Sequence, residues 1–195
     1  MASVLIPLAQ GCEELEAVTL IDLLRRANID VVTAGLDDKA VVTAHGVTLI
    51  PDSTLEEALK KAYEMIILPG GMPGTNHLEQ DNRLKNALME QNQQGKYIAA
   101  ICAAPKILAA AGILNGRHAT SYPGFLDAMD LPEVEYLDEM VVHDDNIITS
   151  TSPGTAMDFA LYLIEVLKGE TLRDKVEEGL VRPAHHTIYD EIDEG

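Results

Sequence analysis

A cysteine, a glutamate and a pair of glycines stand where this sequence could do chemistry. Cys102 lies in Ala100-Ile101-Cys102-Ala103-Ala104-Pro105, between an apolar run and a helix start. Small residues two before and two after it permit a sharp strand-to-helix turn, as in a nucleophile elbow. Such an elbow lifts the sulfur into a pocket at a helix N-terminus. Free amides and the helix dipole there favour thiolate, which predicts a lowered thiol pKa. The segment equally fits a buried cysteine packed as a small hydrophobe. Glu16 shares a helical face with Leu20 and Leu23. A carboxyl on that core-facing stripe has a raised pKa, and it can donate a hydrogen bond to a thiolate or shuttle a proton. The same pattern suits an ordinary first-turn glutamate, and periodicity does not separate Glu16 from Glu13 or Glu14. Gly70-Gly71 follow a strand, so their amides can approach a ligand and, with the amide of Ala103, hold an oxyanion. A turn needing positive φ would read the same way.

Other reactive types are less informative. Cys12 also follows a strand end and is either a resolving thiol or a passive one. No Gly-Lys-Ser/Thr follows the glycines, so they are not a phosphate loop. His185-His186 could take adventitious metal. No Cys/His/Glu spacing matches a zinc site, so no metal is assigned.

The elements that must position these groups alternate between strand and helix. Strands are expected over Ser3–Ala9, Asp30–Leu36, Glu64–Leu68 and Tyr97–Ile101, the last being the most apolar and therefore central. Helices are expected over Glu13–Ala27, from Ser53 or Thr54, over Asn82–Gln94 and Pro105–Ala111, and over Thr155–Lys168 behind Pro153. Hairpins are expected around His45-Gly46 and around Asp144-Asp145-Asn146. Strands apolar on both faces belong in a parallel sheet covered on both sides, which gives an α/β, three-layer, doubly wound fold. Sites in such folds lie at the carboxyl ends of strands. Three loops qualify: Gly11–Glu14, Pro69–Gly74 and Cys102–Ala104. No repeat, linker or composition break divides residues 1–195, so one domain is expected, with an acidic tail over about 187–195.

Composition excludes several classes. Apolar types make up 47% of the chain, so a packed core is expected. The 14 Lys and Arg against 32 Asp and Glu leave a net charge of −18, which repels phosphate backbones and anionic lipids. No nucleic-acid or membrane partner is expected. Two cysteines make no disulfide framework. The opening lacks the basic region of a secretory leader, and no run approaches the ~20 apolar residues of a membrane span. A soluble cytoplasmic protein is the expectation.

Four segments together resemble one family. They are Gly11-Cys12-Glu13-Glu14-Leu15-Glu16-Ala17, Leu68-Pro69-Gly70-Gly71, Ala99 to Pro105, and Thr149-Ser150 followed by Pro153-Gly154-Thr155. In order and spacing they resemble the ThiJ/PfpI superfamily, in the branch of the Parkinson-disease protein DJ-one and bacterial YajL, over about residues 2 to 182. The resemblance implies a flavodoxin-like sandwich that forms a homodimer and needs no cofactor. It implies that Cys102 is an oxidisable nucleophile, that Glu16 contacts its sulfur, and that Gly71 with Ala103, beside Gly70, supplies oxyanion amides. It further implies a cysteine-dependent glyoxalase or protein deglycase. The substrates would be small reactive carbonyls such as methylglyoxal, or glycated protein groups. The alternatives are a redox-responsive stress chaperone or sensor working through Cys102 oxidation, and a PfpI-like amidase or protease.

The chain also departs from the family pattern. Tyr122 stands where several members carry a third catalytic histidine, and a phenol is a poor base at neutral pH. Where relatives carry arginines, this chain has His45 and, just before Pro153, Thr151. Fewer fixed positive charges imply less help for anionic substrates. Arg26 matches a retained family arginine.

Overall fold

A computed structural model describes residues 2–182. The acidic tail and His185-His186 lie outside the described residues. The chain runs β1 (Ser3–Leu8), α1 (Glu14–Arg26), β2 (Asp30–Gly35), β3 (Val41–Val42), β4 (Thr48–Leu49), β5 (Ser53–Thr54) and α2 (Leu55–Ala58). It continues through β6 (Met65–Leu68), α3 (Gly74–Gln80), α4 (Asn82–Gln93), β7 (Tyr97–Ile101), α5 (Pro105–Ala110), β8 (Arg117–Ala119) and β9 (Val134–Tyr136). It ends with β10 (Val141–Asp144), β11 (Ile147–Ser150), α6 (Ala156–Lys168) and α7 (Glu170–Leu180).

The main sheet has the order β10-β11-β7-β6-β1-β2-β5. Every neighbouring pair is parallel except β10 with β11, which form the expected hairpin. Alternate residues of each inner strand feed opposite layers. Val4, Ile6 and Leu8 of β1 join Met65, Ile67, Ala99 and Ile101 in a core covered by α1, α6 and α7. Leu5, Ile66, Leu68, Ile98 and Ala100 point the other way, under α2, α3, α4 and α5. Burial on both faces explains why these strands read as unbroken apolar runs. Leu20, Leu23 and Leu24 carry α1 onto the sheet, each stabilising the contact by about 2 kcal/mol. Because β1, β6 and β7 run parallel, their carboxyl ends share one edge, and the three expected loops meet there.

Several expectations need correction. β7 is interior but not the middle strand; that place belongs to β6. The glycine loop stops at Gly74, where α3 begins without a side-chain cap, so no capping signal marks its start. The α2 helix lasts only four residues, and Ser53–Thr54 just before it pairs with β2 as an edge strand. The β8–β9 pair and α7 carried no recognisable pattern. β8 and β9 are three residues each, and α7 buries little beyond Val176.

Candidate active site

Cys102 sits at the carboxyl end of β7 with φ of +63°, in the left-handed region that side chains avoid. Its N–H donates to Ser150 O at 2.9 Å, and its carbonyl accepts the Tyr122 N–H at 2.9 Å. These two clamps from β11 and the segment after β8 hold the elbow. The amides of Gly71 and Ala103 have no carbonyl acceptor among the described residues, and both approach the Cys102 sulfur. The residue is 8% exposed.

Glu16 reaches the same point from the first turn of α1 and is fully buried. Its Oε2 accepts the Gly70 N–H at 2.7 Å. Its Oε1 is buried with no hydrogen-bond partner among the described residues, and the Cys102 side chain, packed with the carboxyl about Gly70, acts on its charge. Glu13 and Glu14, which periodicity could not distinguish from Glu16, keep partly exposed carboxyls at the rim. A Cβ on Gly70 would lie 2.8 Å from Cys102 Cβ and 2.9 Å from Glu16 Oε2, so only glycine lets acid and thiol close around it. Gly71 has φ of +91°, and a Cβ there would lie 2.2 Å from the Glu13 nitrogen. This loop is bolted to the first one, since Glu13 N–H donates to Gly70 O at 2.9 Å.

Electrostatics correct one expectation. Burial pushes the Glu16 carboxyl up to about 7, against the pull of the Gly70 N–H and the Cys102 side chain. Burial, then the Glu16 charge, also pushes the Cys102 thiol up rather than down. The amides of Ala103 and Gly71 favour thiolate but are outweighed. α5, at six residues, has only a short dipole to add. The thiol is therefore ionised where its proton passes to Glu16, because transfer removes the repelling carboxylate charge. Cys12 is fully buried, its thiol raised to about 11 by burial and by Glu14.

The remaining candidates separate. Thr151 follows the carbonyl that holds Cys102, its hydroxyl 3.4 Å from Thr155 Oγ1, and Pro153 opens the 3₁₀ turn before α6. Tyr122 touches Cys102 through its backbone, and its ring is exposed edge-on to Phe125. No histidine is among the groups acting on the thiol. His45 stands on the β3–β4 hairpin, its Nδ1 3.3 Å from Glu14 and 3.5 Å from Glu13. Arg26 is at the far end of α1, paired with Asp22 at 2.7 Å, so the chain's own Arg26 is not in this site. Sequence reasoning missed Ser150 as the anchor of the elbow and the Glu13–Glu14–His45 cluster. Neither contact leaves a local signal, because each joins residues far apart in the chain.

Comparison with known proteins finds one family and one fold. The family model described as "DJ-1/PfpI family" matches residues 2–166. The chain is 38% identical over 168 residues to "Glutathione-independent glyoxalase DJR-1.2" of Caenorhabditis elegans, covering 86% of this chain and 89% of that one. The crystal structure of Drosophila melanogaster DJ-1beta superposes with a TM-score of 0.89 at 39% identity, covering 92% of this chain and 97% of the other. The structure described as "Toxoplasma gondii DJ-1, oxidized" gives a TM-score of 0.88 at 37% identity, covering 93% and 98%.

Proposed function

The chain belongs to the DJ-1/PfpI family, and from that membership we propose that it is a cysteine-dependent, cofactor-independent glyoxalase or protein deglycase. Its substrates would be methylglyoxal-type dicarbonyls or their adducts with protein groups. The observation that carries this reading is the buried Glu16 carboxyl, raised to about 7, against the Cys102 thiol. A carboxylate of that basicity accepts a proton at neutral pH and returns it, as a shuttle must.

In the proposed sequence, Cys102 sulfur bonds to the aldehyde carbon as its proton passes to Glu16. The carbonyl oxygen takes the electron pair and receives that proton, giving a hemithioacetal, while the free amides of Gly71 and Ala103 steady the developing charge. Glu16 then removes the hydrogen from the former aldehyde carbon as a proton, the electron pair passing to the neighbouring carbonyl oxygen to give an enediol, and returns a proton to the neighbouring carbon while the first hydroxyl gives up its own, leaving a thioester of the hydroxy acid. Water hydrolyses the thioester, releasing the acid and restoring the thiol. For an adduct on a protein amine, the proton goes to the leaving nitrogen. The glyoxalase relative supports the chemistry by its name alone. Methylglyoxal consumption without glutathione, compared between wild type and Cys102→Ala, tests the proposal. Equal rates would remove it.

A second reading is favoured by a different observation. A neighbouring structure is described as oxidized, and Cys102 keeps a small opening to solvent beside a carboxyl able to hydrogen-bond an oxidised sulfur. In that reading the site senses peroxide, and the turnover is incidental. Intact mass during peroxide titration tests it, with oxygen expected on Cys102 ahead of buried Cys12. An amidase or peptidase would need a base in the histidine position, and Tyr122 supplies none.

We also propose a homodimer. Leu15 and Val18 on α1, with Val42, Val47 and Ile50 on the β3–β4 hairpin, are exposed apolar side chains. Sedimentation of wild type and Ile50→Asp tests that contact. A reactive thiol fits a reducing cytosol, and no helix among the described residues is long and apolar enough to cross a membrane.

A further inference from the structure

A cavity of about 250 Å³ opens at the amino ends of β6 and β7, between α4 and the loop that leaves α2. Leu59, Ile66 and Ala87 give it apolar walls, and Gln91, Lys61 and Lys96 also line it. The place is separate from the reacting thiol, because Tyr97 opens β7 and Cys102 follows its end, about 16 Å farther along the strand. It is separate from the proposed dimer contact as well. Tyr63 and Ile66 pack in the core under α2, α4 and α5, whereas α1 and the β3–β4 hairpin bury Leu20, Val41 and Leu49 in the core of the other face. Gln91 is 6% exposed. Its Nε2 donates to Tyr63 O at 3.2 Å and to Tyr97 O at 3.3 Å, which takes both amide hydrogens and fixes which way the amide faces. Its Oε1 accepts no hydrogen bond among the described residues, yet it is not one of the sealed-off atoms, so it opens to the cavity. Lys39, Lys60 and Lys106 are ion-paired, whereas Lys61 and Lys96 are in no ion pair among the described residues. Glu90, the carboxylate in the lining, already accepts the Gln94 side chain at 2.9 Å. Asp30 acts on Tyr63 but does not line the cavity, and the Tyr63 hydroxyl is taken by Ala58 O at 3.0 Å.

We propose that this cavity binds a small organic acid with an apolar body and a hydroxyl or amine at the end remote from the acid. The apolar body covers Leu59, Ile66 and Ala87, which otherwise face water. The hydroxyl or amine donates to Gln91 Oε1. An acceptor in a nearly buried residue is costly to leave unmade, and a ligand donor removes that cost. The acid meets Lys61 and Lys96, two ammonium groups against one occupied carboxylate, on a chain whose net charge is −18. Anions are repelled by most of that surface, so a locally cationic opening singles this place out. The volume equals that of about eight waters at ~30 Å³ each and falls just below the range of drug-sized sites, so a single substituted ring fills it. The binding does not depend on the Cys102 chemistry.

The test titrates the full-length nitrogen-15-labelled protein with 4-hydroxybenzoate and follows backbone amide shifts by NMR. Benzoate, which lacks the donor, and 4-hydroxybenzamide, which lacks the charge, are the controls. The expected result is saturable shifts at Tyr63, Ala87, Gln91 and Lys96 with the Cys102 amide unmoved. 4-Hydroxybenzoate should bind about fivefold tighter than either control, the worth of one hydrogen bond or one partly exposed ion pair. Lys61→Gln/Lys96→Gln, both at the opening, should abolish the preference for the acid over the amide. Ala87→Leu fills the cavity without touching Gln91 and should abolish binding of all three compounds at an unchanged or higher melting temperature. Absence of saturable shifts at the lining residues, or shifts centred on Cys102, overturns the proposal. So does an affinity that fails to exceed both controls, or binding that survives Ala87→Leu unchanged.

Discussion

Glu16 closes one oxygen on the Gly70 N–H at 2.7 Å and packs with Cys102 about the bare Cα of that glycine. Each group is buried; the Glu16 charge makes the thiol harder to ionise, whereas the protonated thiol favours the carboxylate. Two negative charges there would repel in a medium that screens poorly. The pair therefore carries no more than one negative charge near neutrality, and the ionised thiol is the form in which the proton sits on Glu16.

Glu16→Gln removes the charge and the acceptor that hold the thiol up. The Cys102 thiol should then titrate at lower pH than in wild type, moving back toward its ordinary value, with burial still opposing. Thiolate absorbance or the pH dependence of iodoacetamide labelling reads the midpoint. An unchanged or higher midpoint would mean that the carboxyl does not act on the sulfur.

Folding stability should carry the Glu16 signature. Its folded pKa of about 7 lies above the ordinary 4.5, so the folded state keeps the proton after the unfolded chain has released it. Below about pH 4.5 the group costs nothing; stability then falls as pH rises, and above about 7 the full penalty of roughly 3 kcal/mol is present. Denaturant midpoints should show Glu16→Gln gaining on wild type between pH 4 and pH 8. A constant difference would contradict the raised pKa.

The elbow stores backbone strain. With φ of +63° at Cys102, Cys102→Gly should be more stable than Cys102→Ala by about 1 kcal/mol, the cost of a Cβ in the left-handed region. Urea unfolding of the two variants measures it. Alanine at least as stable as glycine would count against the strained geometry.

The glycine loop should tolerate no side chain. Gly71→Ala sets a Cβ 2.2 Å from the Glu13 backbone nitrogen, and Gly70→Ala sets one 2.8 Å from Cys102 Cβ. Each should cost about 2 kcal/mol or more and displace the acid from the thiol. Loss of Cys102 labelling selectivity over Cys12, read together with thermal melts, checks this. Wild-type behaviour in both variants would rule out the close packing.

Legibility in the sequence followed the range of each interaction. The 3.6-residue spacing of Leu20, Leu23 and Leu24 revealed α1 and put Glu16 on its inner face. The unbroken apolar runs of β1, β6 and β7 revealed the parallel sheet, and with it the edge where the three loops meet. α3 was hidden because Pro73 and Gly74 give it no capping signature, and α7 because it buries one side chain on a charged helix. The sign of the Cys102 shift was misread for a physical reason. Helix N-termini and free amides can be read from local sequence, whereas desolvation and a carboxylate from a distant helix exist only after folding.

The most direct measurement is hydroxy-acid formation from methylglyoxal, without added thiol or metal, by wild type, Cys102→Ala, Glu16→Gln and the double variant. The account predicts turnover in wild type that rises with pH through about 7, as Glu16 becomes a base. It predicts none with Cys102→Ala, and a loss of about 100-fold or more with Glu16→Gln, with the double variant no worse than Cys102→Ala. Wild-type turnover in either single variant would contradict it.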